Sequence, residues 1–314
     1  MTDNELHVIF GTGPVGLAVM DDLVRKGRRV RLVNRSGRAD VAEGVEVVGG
    51  DAADPTFTRE ASAGASVVYF ALNPPYDRWP ELFPSLQAGV LEGAASAGAK
   101  LIAVENLYMY GPTGGRPITE DLPYAANTRK GTVRAGMSRE LMEADASGKV
   151  RVAIGRASDF FGPRVRTSAA GEQIFGRAVE GKSAQVAGDP DQPHTYTYAP
   201  DIGKGLVVLG ERQEALGRAW HLPSPETVTT RRFVEMIFEE AGGPARIQTA
   251  PKFVLRAMGL FNPPLREMIE MLYEFEEPFV VDQADFEQAF GMRPTPLRQA
   301  IGETVRWYRR VGGD

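Results

Sequence analysis

The chain has 314 residues, 43% of them hydrophobic, and its 36 basic and 41 acidic side chains leave a net charge of -5, which gives no reason to expect nucleic acid or an anionic membrane surface as a partner. The absence of cysteine excludes disulfides, thiolate catalysis and cysteine-ligated metals, and with only His7, His194 and His221 to supply imidazole no metal site is expected. No apolar run approaches the roughly 20 residues that cross a bilayer and no basic, apolar leader precedes Val8, so a soluble cytoplasmic protein is the expectation.

Up to about Gly162 short β-branched runs alternate with helical stretches, which predicts a parallel sheet with helices on both faces. The expected strands are Val8–Phe10, Val30–Val33, Val45–Val47, Val67–Ala71, Leu101–Val104 and Val150–Ile154, and the expected helices are Leu17–Lys26, a region near Pro55–Ala63, Pro80–Ala97 and Lys130–Ala146. Right-handed crossovers then give a doubly wound Rossmann sheet. Beyond Gly162 prolines and glycines become frequent, and helical patterns recur at Thr230–Ala241, Phe253–Leu260, Leu265–Phe275 and Pro296–Arg310. The expected organisation is a dinucleotide-binding domain over residues 1–162 and a smaller substrate-binding elaboration over 163–314, partly interleaved with the sheet.

The stretch "VIFGTGPVGLAVM" places Gly11, Thr12, Gly13, Pro14, Val15 and Gly16 between the first strand and the first helix. In a dinucleotide-binding turn the first glycine makes the bend, the second lets the backbone approach the pyrophosphate, and the third allows close helix-to-strand packing. Gly11, Gly13 and Gly16 fit these roles, and the amides that open the helix face the phosphates. The second strand ends "RLVNRSGR". An acidic residue at its end would repel a 2'-phosphate, whereas Asn34 is uncharged and Arg35, with Ser36 beside it, offers a guanidinium fork. NADP(H) is therefore expected over NAD(H).

The ordered pieces "GTGPVG", "GDAAD" (50–54), "VVYFAL", "YMYGP" (108–112), "GRASDFFGP" (155–163), "HTYTYAPDIGKGLVVLGE" and the terminal "FGMRPTPLRQAIGETVRWYRR" run along nearly the whole chain. Together they resemble the extended and atypical short-chain dehydrogenase/reductase superfamily, the NAD-dependent epimerase/dehydratase group. The resemblance implies that Asp51 accepts a hydrogen bond from adenine with Ala52 beside it, and that Ala71 and Leu72 line the cofactor where Asn73 begins the next loop. It also implies that the helices at 80–97 and 130–146 pair in a homodimer.

In such enzymes a tyrosine exchanges a proton with the substrate oxygen, a lysine one helical turn later supports it and binds the ribose, and a serine or threonine holds the substrate oxygen. This chain departs from that pattern. Lys130 lies where the lysine belongs, but four residues earlier stands Ala126, and Asn106 occupies the serine position. The expected replacements are Tyr124, with Tyr110 or Tyr108 as alternatives, for the acid, Lys130 for the ribose and Asn106 for the substrate carbonyl. A second reading has the proton apparatus lost and the chain serving as a dinucleotide-binding redox sensor.

On the substrate side, the family's diphosphate-binding asparagine is Asp159 here, which repels a phosphate unless it is paired. The apolar positions Phe253, Leu255, Met258, Phe261, Leu265, Met268, Ile269, Met271 and Leu272 suit either an apolar pocket or a core, and His194 is expected at the surface. The resulting expectation is an NADP(H)-dependent oxidoreductase reducing a carbonyl or enone of a small apolar metabolite. The alternatives are a nucleotide-sugar-type epimerase or dehydratase, or the sensor.

Overall fold

The structure is a computed structural model that describes residues 5–249 and 269–312. The chain forms two compact units, each built from three segments: residues 1–109, 129–156 and 202–220 make the first, and 110–128, 157–201 and 221–314 the second. The first unit thus takes back residues that lie well beyond Gly162.

Its strands are β1 (Leu6–Phe10), β2 (Arg29–Asn34), β3 (Glu46–Gly49), β4 (Ala65–Phe70), β5 (Lys100–Glu105) and β6 (Val152–Arg156). They form a seven-stranded sheet in the order 218–221, β6, β5, β4, β1, β2, β3, and the pairs among β1 to β6 are parallel. The strand that sequence patterning does not mark is Arg218–His221, four residues long and placed on the edge beside β6. Connecting helices are α1 (Pro14–Arg25), α2 (Pro55–Ser62), α3 (Trp79–Ala97) and α4 (Arg129–Ala146). The helix Ala199–Glu211 continues into this unit, and Gly203 lies so close to α1 that a Cβ there would stand 2.5 Å from the Ala18 backbone. Val8, Phe10, Val68, Phe70, Val90, Leu101, Ile154 and Leu141 fill one core, and the intervening strand residues Ile9, Leu32, Ile102 and Ala153 are buried too, as expected of a parallel sheet covered on both faces.

In the second unit Phe161, Phe175, Tyr198, Phe233, Ile237, Ile301 and Tyr308 make a separate aromatic-rich core. Helices Thr230–Ala241 and Leu297–Val311 match the sequence patterns, and Thr229 caps the first by accepting the Arg232 N–H. The pattern at Phe253–Leu260 lies outside the described residues, as do Leu265 and Met268; Met271 and Leu272 are buried.

At the other end of β1 from the glycine turn, His7 is buried with its Nδ1 3.2 Å from the Tyr69 hydroxyl. Burial, aided by the Arg28 charge, lowers its pKa from 6.5 to about 4. Below pH 6.5 the unfolded chain therefore takes up a proton that the folded chain refuses, so stability falls as pH drops from 6.5 toward 4. The cost reaches about 3 kcal/mol at the lower end. Urea-unfolding midpoints across this window are expected to show the loss in the native chain and a flatter profile in His7→Phe.

Candidate functional site

The three glycines adopt three different environments. Gly11 has φ +118°, and a Cβ on it would stand 2.4 Å from the Ala71 carbonyl oxygen at the end of β4. Gly16 would drive a Cβ to 2.0 Å from the Gly11 carbonyl oxygen, so helix and turn touch here and only glycine fits. Gly13 has nothing within 4 Å of a built Cβ. It is also the N-cap of α1, with no side-chain cap and no acidic residue in the first turn. The unbonded amides of that turn and the positive end of the helix dipole thus face open space, which suits a pyrophosphate.

Asn34 does more than leave a charge out. Its Oδ1 accepts the Ser36 N–H at 3.0 Å and the Gly37 N–H at 2.8 Å, while its Nδ2 donates to the Arg38 carbonyl at 2.9 Å and reaches the Thr12 hydroxyl at 3.2 Å. The side chain therefore ties the loop after β2 to the glycine turn, leaving Arg35 exposed at its tip. Asp51 is exposed and accepts the Ala53 N–H at 3.0 Å, whereas Ala52 is packed into the core. Ala71 and Leu72 are half-buried beside Gly11, and Asn73 is exposed.

Of the residues expected to move a proton, Lys130 and Asn106 lie in the first unit and Tyr110 and Tyr124 in the second. Lys130, in the first turn of α4, is fully buried; its Nζ donates to the Tyr76 carbonyl at 2.8 Å and sits 3.9 Å above the Tyr76 ring. The Tyr76 hydroxyl is 3.5 Å from that of Tyr108, and both rings pack on Trp79. Sequence reasoning missed Tyr76: it lies in the loop "NPPYDRWP" after β4, outside any helical spacing with the lysine. Asn106 is half-buried, and its Oδ1 accepts the Tyr108 N–H at 3.3 Å.

One turn beyond Lys130, Arg134 stacks its guanidinium on Phe83 at 4.2 Å and Trp79 at 4.8 Å. Its Nε and Nη1 are buried without hydrogen-bond partners, and burial pushes its pKa down to about 10. Arg156 is buried beside it in the same unit, bonded to Glu105 at 3.1 Å and to the Ser138 hydroxyl at 2.7 Å. This layer holds three buried cations, Lys130, Arg134 and Arg156, and Glu105 as a buried anion.

In the second unit Tyr110 is buried and its hydroxyl lies 2.9 Å from His221 Nε2. His221 Nδ1 is 2.7 Å from the Asp282 carbonyl, an acceptor only, so Nδ1 carries a proton, and Nε2 faces the Tyr110 hydroxyl. Tyr124 is half-buried with its ring edge-on to Tyr110 at 6.0 Å.

His194 is not at the surface. It is buried, stacked on Phe275 and Phe279, with Nε2 3.0 Å from Asp159 Oδ2 and Nδ1 3.2 Å from the Glu274 carbonyl. The flanking "QPHTYTY" looks polar, but Tyr196 two residues on packs its ring against His194 at 4.6 Å. Both ring nitrogens thus lie within hydrogen-bond distance of an oxygen. Beside it, burial holds the Glu274 carboxyl well above the usual carboxylate range, and the Asp159 charge adds to the shift.

Among the described residues no cluster of three metal-ligating side chains occurs, and no helix is long and apolar enough to cross a membrane. The doubly wound sheet and its open glycine turn define a Rossmann-type α/β fold. Residues 8–222 match the NAD dependent epimerase/dehydratase family, and the chain belongs to that family. A comparison with curated proteins finds no match. Among solved structures, an epimerase of Methanothermobacter thermautotrophicus is similar with a TM-score of 0.83 and 17% identity, over 99% of this chain and 94% of that one. UDP-glucose 4-epimerase of Thermotoga maritima, solved with UDP-glucose, gives 0.79 and 14% over 98% and 99%. WbmH of Bordetella bronchiseptica, solved with NAD+, gives 0.75 and 17% over 98% and 99%.

Proposed function

We propose that this chain is a nicotinamide-dinucleotide-dependent enzyme of the epimerase or dehydratase type, in which hydride leaves a sugar-like alcohol carbon and returns to the same substrate. The observation that carries the reading is the glycine turn: Gly13 opens onto free space at an uncapped helix N-terminus, while Gly11 and Gly16 are fixed by contact. The dinucleotide supplies the hydride acceptor. Gly11, Gly13 and the first turn of α1 would hold its pyrophosphate and Asp51 its adenine, while Lys130, expected at the ribose, would reach it only by leaving the Tyr76 carbonyl.

Pairing with His194 removes the objection that a bare Asp159 carboxylate would repel a diphosphate, and so favours a nucleotide-linked sugar over the small apolar ketone. NADP(H) remains the preferred dinucleotide in this reading, because no carboxylate ends β2 and Arg35 stands exposed beside Asn34.

Parallel calorimetric titrations with NADPH and NADH test the cofactor. Arg35→Ala is expected to weaken NADPH about 10- to 100-fold, the worth of a charged hydrogen bond to phosphate, and to leave NADH nearly unchanged. Equal losses for both would sink the 2'-phosphate assignment. Following the nicotinamide absorbance through turnover of UDP-glucose and dTDP-glucose tests the reaction class: recovery of the starting redox form supports an epimerase or dehydratase, and stoichiometric consumption indicates a net oxidoreductase.

A further inference from the structure

The family's helical tyrosine is replaced by Ala126, yet the lysine that would serve it is kept and wholly buried. A buried ammonium is costly unless it has work or partners. The ring that Lys130 covers is that of Tyr76, reached from a different part of the chain. Tyr76 follows the carboxyl end of β4 and Tyr108 the carboxyl end of the adjacent β5, and Ala71 at the end of β4 abuts Gly11. Ligands of doubly wound sheets bind outside these carboxyl ends. A half-buried phenol therefore stands on the correct edge of the sheet, in the company of a lysine.

We propose that Tyr76 is the proton-transferring tyrosine of this chain, with Tyr108 as its hydroxyl neighbour and Lys130 and Arg134 stabilising the phenolate. The assignment rests on the hydride-transfer reading above. In the reducing direction the Tyr76 Oη–H bond breaks and the proton forms an O–H bond on the substrate's carbonyl oxygen, whose carbon accepts a hydride from the reduced nicotinamide dinucleotide. The products are the alcohol, the oxidised dinucleotide and a phenolate. In the reverse direction the phenolate takes the alcohol proton as the carbon gives up its hydride.

Two positive charges on one face of α4, at positions four apart, lie against the Tyr76–Trp79–Tyr108 aromatic stack. A phenolate gains from both by Coulomb attraction, and more so where water is scarce. Arg134 also has two buried N–H groups with no acceptor, and a developing oxyanion is the kind of acceptor they lack. Asp77 and Arg78 on the same turn as Tyr76 are exposed, and Glu105 of β5, which acts on Arg134, is engaged by Arg156. The same design that places a lysine beside a tyrosine on one helix is rebuilt here from a loop and a helix.

The test is a near-ultraviolet pH titration of tyrosine ionisation in the full chain, alongside calorimetry with NADPH. One tyrosine is expected to ionise ahead of the others in the native protein. That step should vanish in Tyr76→Phe, persist in Tyr108→Phe, and move to higher pH in Lys130→Met. NADPH affinity in Tyr76→Phe should stay within about threefold of native, since the phenol acts on the substrate rather than on dinucleotide binding. Normal NADPH binding with the early ionisation retained in Tyr76→Phe overturns the assignment alone. Failure of the native chain to bind either NADPH or NADH overturns the hydride-transfer reading and this assignment with it.

Discussion

Gly13→Asp is expected to abolish dinucleotide binding, with an affinity loss above a hundredfold by calorimetry, while leaving thermal stability within about 2 °C of the native chain. The dissociation follows from geometry. Gly13 is an N-cap with extended backbone, φ -72° and ψ 178°, and nothing surrounds its Cα, so an aspartate fits there and even caps the helix. That same carboxylate occupies the space and takes the amides that a pyrophosphate requires. Gly16→Ala should behave in the opposite manner. Its Cβ at 2.0 Å from the Gly11 carbonyl forces helix and turn apart, at a cost of about 1–3 kcal/mol, a shift readily seen in a melting curve. Loss of binding in Gly13→Asp accompanied by unfolding would contradict the open site described for this turn.

The largest stability effect is expected at Glu105. This carboxylate is 3% exposed and Arg156 is 1% exposed, and it is the buried anion of a layer that also holds Lys130 and Arg134. Glu105→Gln keeps the shape and removes the charge to which the buried guanidinium is bonded. Breaking one half of a buried pair costs about 3–5 kcal/mol, so the urea midpoint of the first unit should fall sharply. Replacing the pair together, as Glu105→Leu with Arg156→Met, should recover much of the loss because no charge is then stranded. If Glu105→Gln unfolds like the native chain, the pair is not the electrostatic keystone of that layer.

How far the sequence goes can be judged at particular residues. The six β-branched runs and the glycine turn are written in local spacing, and the structure places strands and α1 to α4 within a few residues of the expected limits. The edge strand at Arg218–His221 carries no such signal, since four residues beginning with arginine have too little pattern to announce themselves. His194 looks like a loop histidine until Phe275 and Phe279, distant in sequence, stack against it. Tyr76 was illegible for the same reason. The helical rule links tyrosine to lysine by a spacing of four, and here the partner reaches the lysine by tertiary packing, which no window along the chain can register. Tyr110 illustrates the converse: its position suggested an acid, and only the fold reveals that its hydroxyl is bonded to His221, distant in sequence.

The threefold interleaving of the units also dictates an order of events at the ribosome. Residues up to Arg156 can lay down six strands, but β6 remains a raw edge, with its outer hydrogen-bonding groups open to any passing strand, until Arg218–His221 emerges and pairs there. The helix ending at Glu211, which lies on α1 through Gly203, comes just before it. A chain that ends before residue 218 therefore exposes that edge, where the complete sheet covers it.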